Sequence, residues 1–295
     1  MNTNNHYSKL IFINDPDLIE EEIRFITNNI FPDYDFTSLI EIYRNLMDVF
    51  QGEFPGYRES TAHYHDLSHT LSVFLAAARI LHGFHLSGKK ISETAYTQTL
   101  YAALFHDIGY IQYETDLNGT GAKYTDKHVQ RGIGIMRVLL EKRNYPQSFI
   151  DNCGYIISFT DIHPESQNIN KHMNSEVTPF GHILGAADLV AQVADERYPS
   201  KIPELYKEFV EAGIDEYSSE DDLFRKTPIF AEFVRKRLSE KFENIHSYSR
   251  LHFKERHGLD EDLYTFFMER NFKIIDDLLK FSKCNYSSHL RSFAS

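Results

Sequence analysis

An all-α fold is expected from three properties of the chain. Apolar residues recur with a period of 3.6, strand-like alternation is nearly absent, and only 14 Gly and 9 Pro interrupt 295 residues. A hydrophobic share of 42%, with 23 Phe and 18 Tyr, is enough to build a buried core. No internal repeat or low-complexity tract breaks the pattern. Residues 1–295 read as a single all-α domain with a core at about 35–212 and helical additions at both ends, the C-terminal one at about 213–295.

The elements follow in order. Asp15 and Pro16 make an N-cap and first helical position, because a carboxylate accepts the free N–H groups of a first turn and proline has no N–H to leave unpaired there. Leu18, Ile19, Ile23, Ile26 and Ile30 then form its apolar face. Thr37 and Ser38 open a second helix carrying Leu39, Tyr43, Leu46, Met47 and Phe50, closed by Gly52 and Gly56. A third spans about 66–81, with Leu71, Leu75, Ala78 and Leu81 inward. Ser92 caps a fourth, whose Tyr96, Leu100, Ala103 and Leu104 lead into His106-Asp107. The polar, glycine-bearing stretch 109–125 is a loop long enough to suggest function. Asp126 caps a fifth helix with Ile133, Met136 and Leu140 on its apolar side, and a sixth covers about 149–159. After a loop at 163–176, Thr178-Pro179 starts a seventh with Ile183, Leu184, Ala187 and Val190. Segments 203–210, 228–238 and 263–281 also have helical spacing.

Composition narrows the function. With 31 Lys+Arg against 43 Asp+Glu the net charge is −12, which argues against a nucleic-acid or anionic-membrane partner, since both need a basic face. The longest apolar stretch, 71–78, stops at Arg79, far short of the roughly 20 residues of a membrane span. Two cysteines, Cys153 and Cys284, allow neither a disulfide framework nor a zinc ribbon. Residues 1–14 lack an apolar segment after a basic start, so a cytoplasmic location is expected.

The chemistry is concentrated in some of the fifteen histidines. His65 and His69 share a face if the third helix starts near His65, though such pairs also arise by chance and a half-buried helix start explains them equally well. His106-Asp107 closes the apolar run 101–105, where adjacent ionisable groups are costly to bury unless paired or bound to metal. Asp188 is a lone carboxylate within apolar 184–190. Capping or a core hydrogen bond would explain any one of these; three on three helices favour a metal.

Tyr64-His65-Asp66-Leu67-Ser68-His69-Thr70, Ala103-Leu104-Phe105-His106-Asp107-Ile108-Gly109 and Ala187-Asp188-Leu189 together resemble the HD-domain metal-dependent phosphohydrolases, in particular their cyclic-nucleotide-phosphodiesterase-like branch. The resemblance covers about residues 60–212 and implies an HD-like helical bundle. It implies that His69, His106, Asp107 and Asp188 bind one metal, that Asp107 is also catalytic, and that His65 gives a proton to the leaving group. Family members with the order H-HD-H-H-D hold a second ion bridged by the aspartate of the pair, and His128 and His163 stand where the two further histidines would be. Asp66 replaces the asparagine usual in the phosphodiesterases, which counts against a cyclic-nucleotide substrate more than against the metal site.

Imidazole and carboxylate ligands without thiolate suit one or two divalent ions, with Mn, Fe, Co, Ni, Zn or Mg as candidates. Two such ions add about four positive charges and reverse the local effect of an acidic chain on a phosphate. The implied activity is hydrolysis of a small-molecule phosphoester, a nucleotide or cyclic nucleotide, by a metal-activated water. A di-iron oxygenase of the same superfamily and a non-catalytic nucleotide sensor are the alternatives. Three further residues are candidates for substrate binding. Lys123 would meet a phosphate oxygen or sit in a solvated turn, Arg131 would touch substrate or form a surface ion pair, and Gln192 would reach a base or join a hydrogen-bond network. His63, His82, His85, His172, His182, His246, His252, His257 and His289 read as non-ligands. Arg235-Lys236-Arg237 reads as a solvated helix face. The stripe from Phe266 to Phe281 reads as core or oligomer contact, which leaves a homodimer open.

Overall fold

The computed structural model describes residues 3–162 and 176–281, and among them the regular elements are all helical, apart from one β-bridge between Tyr57 and Tyr113. Helix α1 (Thr3–Ile11) precedes α2 (Pro16–Ile30), which Asp15 caps by accepting the Asp17 N–H at 2.9 Å. Ile19, Ile23, Ile26 and Ile30 are buried, whereas Leu18 is 50% exposed. Its expected inward place fails because successive helical residues are turned by about 100°, which carries Leu18 off the isoleucine stripe.

Helix α3 (Thr37–Gln51) ends at Gly52, and α4 (Leu67–Leu86) begins after Asp66, whose carboxylate accepts the His69 N–H at 2.8 Å. Helix α4 outruns its expected end because His82 and Gly83 are buried as well. It is apolar nearly all round, as a helix at the centre of a bundle must be. Helix α5 (Glu93–Phe105) is capped by Ser92, which accepts the Ala95 N–H at 3.2 Å. Helix α6 (His128–Glu141) starts later than expected: 121–127 winds as a 3₁₀ turn, so Asp126 lies within that turn and caps nothing.

Helices α7 (Gln147–Ile157), α8 (Thr178–Ala194), α9 (Tyr198–Glu211), α10 (Glu220–Lys236), α11 (Ser249–His257) and α12 (Leu263–Phe281) complete the order. Pro203 and Pro228, expected near helix starts, lie inside α9 and α10. The true start of α10 is set by Ser219, which accepts the Asp222 N–H at 3.1 Å ahead of an acidic first turn.

Helix α4 packs against α2, α5, α8 and α11, and α8 also packs against α12, so helices beyond residue 212 lie directly on the two most apolar ones. Buried Arg79 ties the chain ends together, donating to the carbonyls of Leu10 at 2.5 Å and Ile11 at 3.3 Å and to the Tyr264 hydroxyl at 3.2 Å. Phe267, Phe272 and Ile275 of the C-terminal stripe are core residues. Arg237 departs from its expected solvated face. It begins a π-helical turn (Arg237–Lys241), is 7% exposed, and donates to the carbonyls of Phe159 at 3.2 Å and Asp161 at 2.6 Å. Among the described residues no helix is long and apolar enough to cross a membrane.

The contact between α4 and the 3₁₀ turn Ile245–Tyr248 depends on the absence of a side chain at Gly83, where a Cβ would fall 1.7 Å from the Tyr248 carbonyl oxygen. Gly83→Ala is therefore expected to destabilise the protein by about 1–3 kcal/mol, as overpacking does. Gly134→Ala, within α6 and with nothing near its missing Cβ, should stabilise by about 0.5–1 kcal/mol through helix propensity. Urea unfolding of the two variants checks this, and equal midpoints would contradict the packing described.

Candidate metal centre

Helix ends bring the candidate ligands together. His69 lies in the first turn of α4, His106-Asp107 directly follows α5, His128 is the first residue of α6, and Asp188 projects from within α8. Gly109 allows the turn after Asp107 to press on α6, since a Cβ there would lie 1.9 Å from the His128 carbonyl oxygen.

His106 Nε2 is 3.1 Å from Asp107 Oδ2 and 3.8 Å from Asp188 Oδ1, while His69 Nε2 is 3.1 Å from Asp188 Oδ1 and 3.5 Å from Asp107 Oδ2. With metal–ligand bonds of about 2.1 Å, adjacent ligand atoms lie about 3.0 Å apart in an octahedron and about 3.4 Å in a tetrahedron. Two of the observed separations, both 3.1 Å, fall in that range, and the other two, 3.5 and 3.8 Å, lie above it. On its other side Asp107 presents Oδ1 to His128 Nε2 at 3.7 Å, the placement a bridging carboxylate needs.

The protonation pattern agrees with a cation. His106 Nδ1 donates to the Ala103 carbonyl at 2.8 Å and His128 Nδ1 to the Thr125 carbonyl at 2.6 Å, so the neutral forms of both rings present a bare lone pair at Nε2. His106 Nε2 and Asp107 Oδ2 are buried 3.1 Å apart, and neither has a hydrogen-bond partner other than a proton the two would share. Two buried acceptors that face each other need a proton or a metal between them. Without a metal, burial works against charge on His106, but Asp107 outweighs it and raises the imidazole to about 9. Asp107 is in turn held well below the carboxylate range, the cost of its burial overcome by His106, His65 and His69. Burial dominates at His128 and pushes it down.

His65 stands beside this group. Its Nδ1 donates to Glu208 Oε2 of α9 at 2.6 Å, and Glu208 Oε1 accepts the Tyr64 N–H at 2.7 Å and the His65 N–H at 3.2 Å. Burial opposes its charge, but Glu208 raises His65 to about 9, while Glu208, also buried, is held down chiefly by His65. Tyr110 is stacked against His65 at 4.6 Å and against His128 at 4.5 Å, and the two imidazoles lie 6.3 Å from each other. Glu208 and Tyr110 are the site residues that sequence reasoning missed.

A family model described as Npun_R2479-like matches residues 54–245. The chain belongs to the Npun_R2479-like family. The match contains His65, His69, His106, Asp107, His128, Asp188 and Glu208, and its end at 245 takes in α10, beyond the core limit at 212 expected from the sequence. No curated protein and no solved structure matches the chain. In this member of the Npun_R2479-like family the ligand cluster opens into a cavity of about 1000 Å³, its open mouth included, lined by His65, Asp107, His128 and Asp188 at one end.

Gln192 lines that cavity; Lys123 and Arg131 do not. Lys123 is held by Asp116 at 2.5 Å and by the Asn118 carbonyl, while Arg131 lies over the Tyr124 ring at 3.9 Å and donates to the Gly109 carbonyl. Both tie down the loop before α6. His163 lies outside the described residues. A second group, Glu22, His252 and His257, is close enough to hold a metal, but Arg256 already contacts Glu22 at 3.2 Å and Arg79 adds further positive charge. That surplus disfavours a cation and agrees with the non-ligand reading of His252 and His257.

These shifts set a pH dependence. Raised from 6.5 to about 9, His65 and His106 contribute stability that is complete below about pH 6.5 and lost as pH rises through about 9. Thermal unfolding in a chelator should therefore show melting temperature falling from pH 6.5 to 9.5. Glu208→Gln should weaken the fall by removing the carboxylate that raises His65, and excess Mn²⁺, which takes the place of the proton on His106, should flatten it. A chelated protein with no such slope would contradict the arrangement.

Proposed function

We propose that this protein is a metal-dependent phosphohydrolase of the HD-domain type. The observation that carries the proposal is the convergence of His106 Nε2 and Asp107 Oδ2, buried and without hydrogen-bond partners, beside His69 and Asp188. Those four residues would hold one ion, and Asp107 with His128 a second. A divalent ion bound there supplies Lewis acidity and lowers the pKa of a coordinated water.

The chain's own residues complete the chemistry. His65 is held charged by Glu208 and donates to it through Nδ1, so its Nε2–H is the proton available to a departing oxygen. Glu208 is a positioning residue: it accepts three hydrogen bonds, two of them from backbone, and keeps the imidazole in one orientation. Tyr110 prevents His65 and His128 from rotating out of their planes.

Purified protein loaded with Mn²⁺ should hydrolyse members of a phosphoester panel. Asp107→Asn should lose metal and activity together. His65→Ala should keep its metal yet lose about 10²–10⁴-fold on an alkyl phosphoester, whose leaving oxygen needs a proton, and far less on a nitrophenyl ester. Steady-state rates with metal content measured in parallel test this. Equal losses on both esters with metal retained would remove the proton-donor role, and no hydrolysis of any phosphoester with metal bound would overturn the proposal.

A further inference from the structure

We infer that the substrate carries a single phosphate on an apolar body, and that this body occupies the part of the cavity walled by α8, α9 and α10. The inference rests on the phosphohydrolase reading and specifies its substrate. Beyond the ligand cluster the walls are Leu189 of α8, Ile202, Leu205 and Phe209 of α9, and Leu223 and Phe230 of α10. Tyr217, stacked on Phe209 at 5.5 Å, extends this surface. The lining matches an apolar occupant.

Several polar side chains on those walls are already engaged. The Thr160 hydroxyl donates to the Ile157 carbonyl at 2.9 Å and the Thr227 hydroxyl to the Leu223 carbonyl at 3.1 Å. Gln192 shares a hydrogen bond with the Tyr64 side chain. A nucleobase desolvated here would leave its exocyclic groups and ring nitrogens short of partners, which costs more than its stacking returns.

Charge limits the phosphate count. Away from the charged His65 at the cluster, Lys226 is the only cation among the described residues lining the cavity, and its ammonium already meets Asp222 at 3.1 Å and the Glu216 carbonyl at 2.8 Å. Asp161 on the same lining is acidic. One phosphate can be neutralised at the ligand cluster, whereas a second or third would face Lys226 only in competition with Asp222.

Non-hydrolysable phosphonates test this by calorimetry on the Mn²⁺-loaded protein. Methylphosphonate reports the metal end alone; 1-naphthylphosphonate and a branched decylphosphonate add a flat ring or a chain; adenosine 5′-monophosphate is the polar comparison. One or both hydrophobic phosphonates should bind about 10- to 100-fold more tightly than methylphosphonate, and whichever wins says whether the body is ring or chain. Phe230→Asn and Tyr217→Asn, at half-buried positions, should abolish that gain and affect methylphosphonate binding far less. Hydrophobic phosphonates no tighter than methylphosphonate, or weaker than adenosine monophosphate, would overturn the inference while metal-dependent methylphosphonate binding kept the phosphohydrolase reading. Failure of every phosphonate to bind would overturn both.

Discussion

His106 donates its Nδ1–H to a backbone carbonyl and turns Nε2 toward a buried carboxylate oxygen 3.1 Å away, a contact that needs either a proton or a cation between the two atoms. The pair His106–Asp107 lies where α5 ends, enclosed by apolar helices that supply no donor to either atom. Burying such a pair without compensation would cost several kcal/mol, a large share of the stability of a typical domain. His69, Asp188 and His128 cluster around the same pair, with His69 Nε2 3.1 Å from Asp188 Oδ1 and 3.5 Å from Asp107 Oδ2, and His128 Nε2 3.7 Å from Asp107 Oδ1.

The fold delivers this arrangement by using helix ends. His106 and His128 each bond the carbonyl three residues earlier, Ala103 and Thr125, where the backbone is leaving or entering a helix. The same local device thus fixes two Nε2 atoms on opposite sides of Asp107. His65 is fixed from a distance instead, by Glu208 on α9, 143 positions along the chain. Helix α9 therefore serves the chemistry twice, through Glu208 at the ligand cluster and through the apolar face that carries Phe209 beside it.

His69 stood out only through the resemblance, whereas the candidates His106, Asp107 and Asp188 were legible because each is a polar residue in an apolar helical run, where its cost makes it conspicuous. Glu208 was not, because α9 is amphipathic and Glu204, Lys207 and Glu211 surround it in sequence with solvated charges. Only the docking of α9 against the start of α4 buries it. Tyr110 was hidden among 18 tyrosines, since stacking leaves no trace in a one-dimensional pattern. Lys123 and Arg131 looked available to a phosphate because their partners, Asp116 for one and the Tyr124 ring for the other, are recognisable only once the loop is folded. Helix existence followed from periodicity, whereas the starts of α9 and α10 were misplaced because an interior proline was taken for a first residue. Arg237 shows the same limit: its neighbours are solvated, and the π-helical turn it opens turns it inward.

The most direct test of the central claim is crystallographic. Protein purified without chelator and crystallised with Mn²⁺ should give an anomalous difference peak about 2.0–2.3 Å from His106 Nε2 and Asp107 Oδ2, with His69 and Asp188 completing the same ion. A map with no peak there, in which His106 Nε2 instead donates a proton along a straight hydrogen bond to Asp107, would show that the buried pair satisfies itself and would contradict the account.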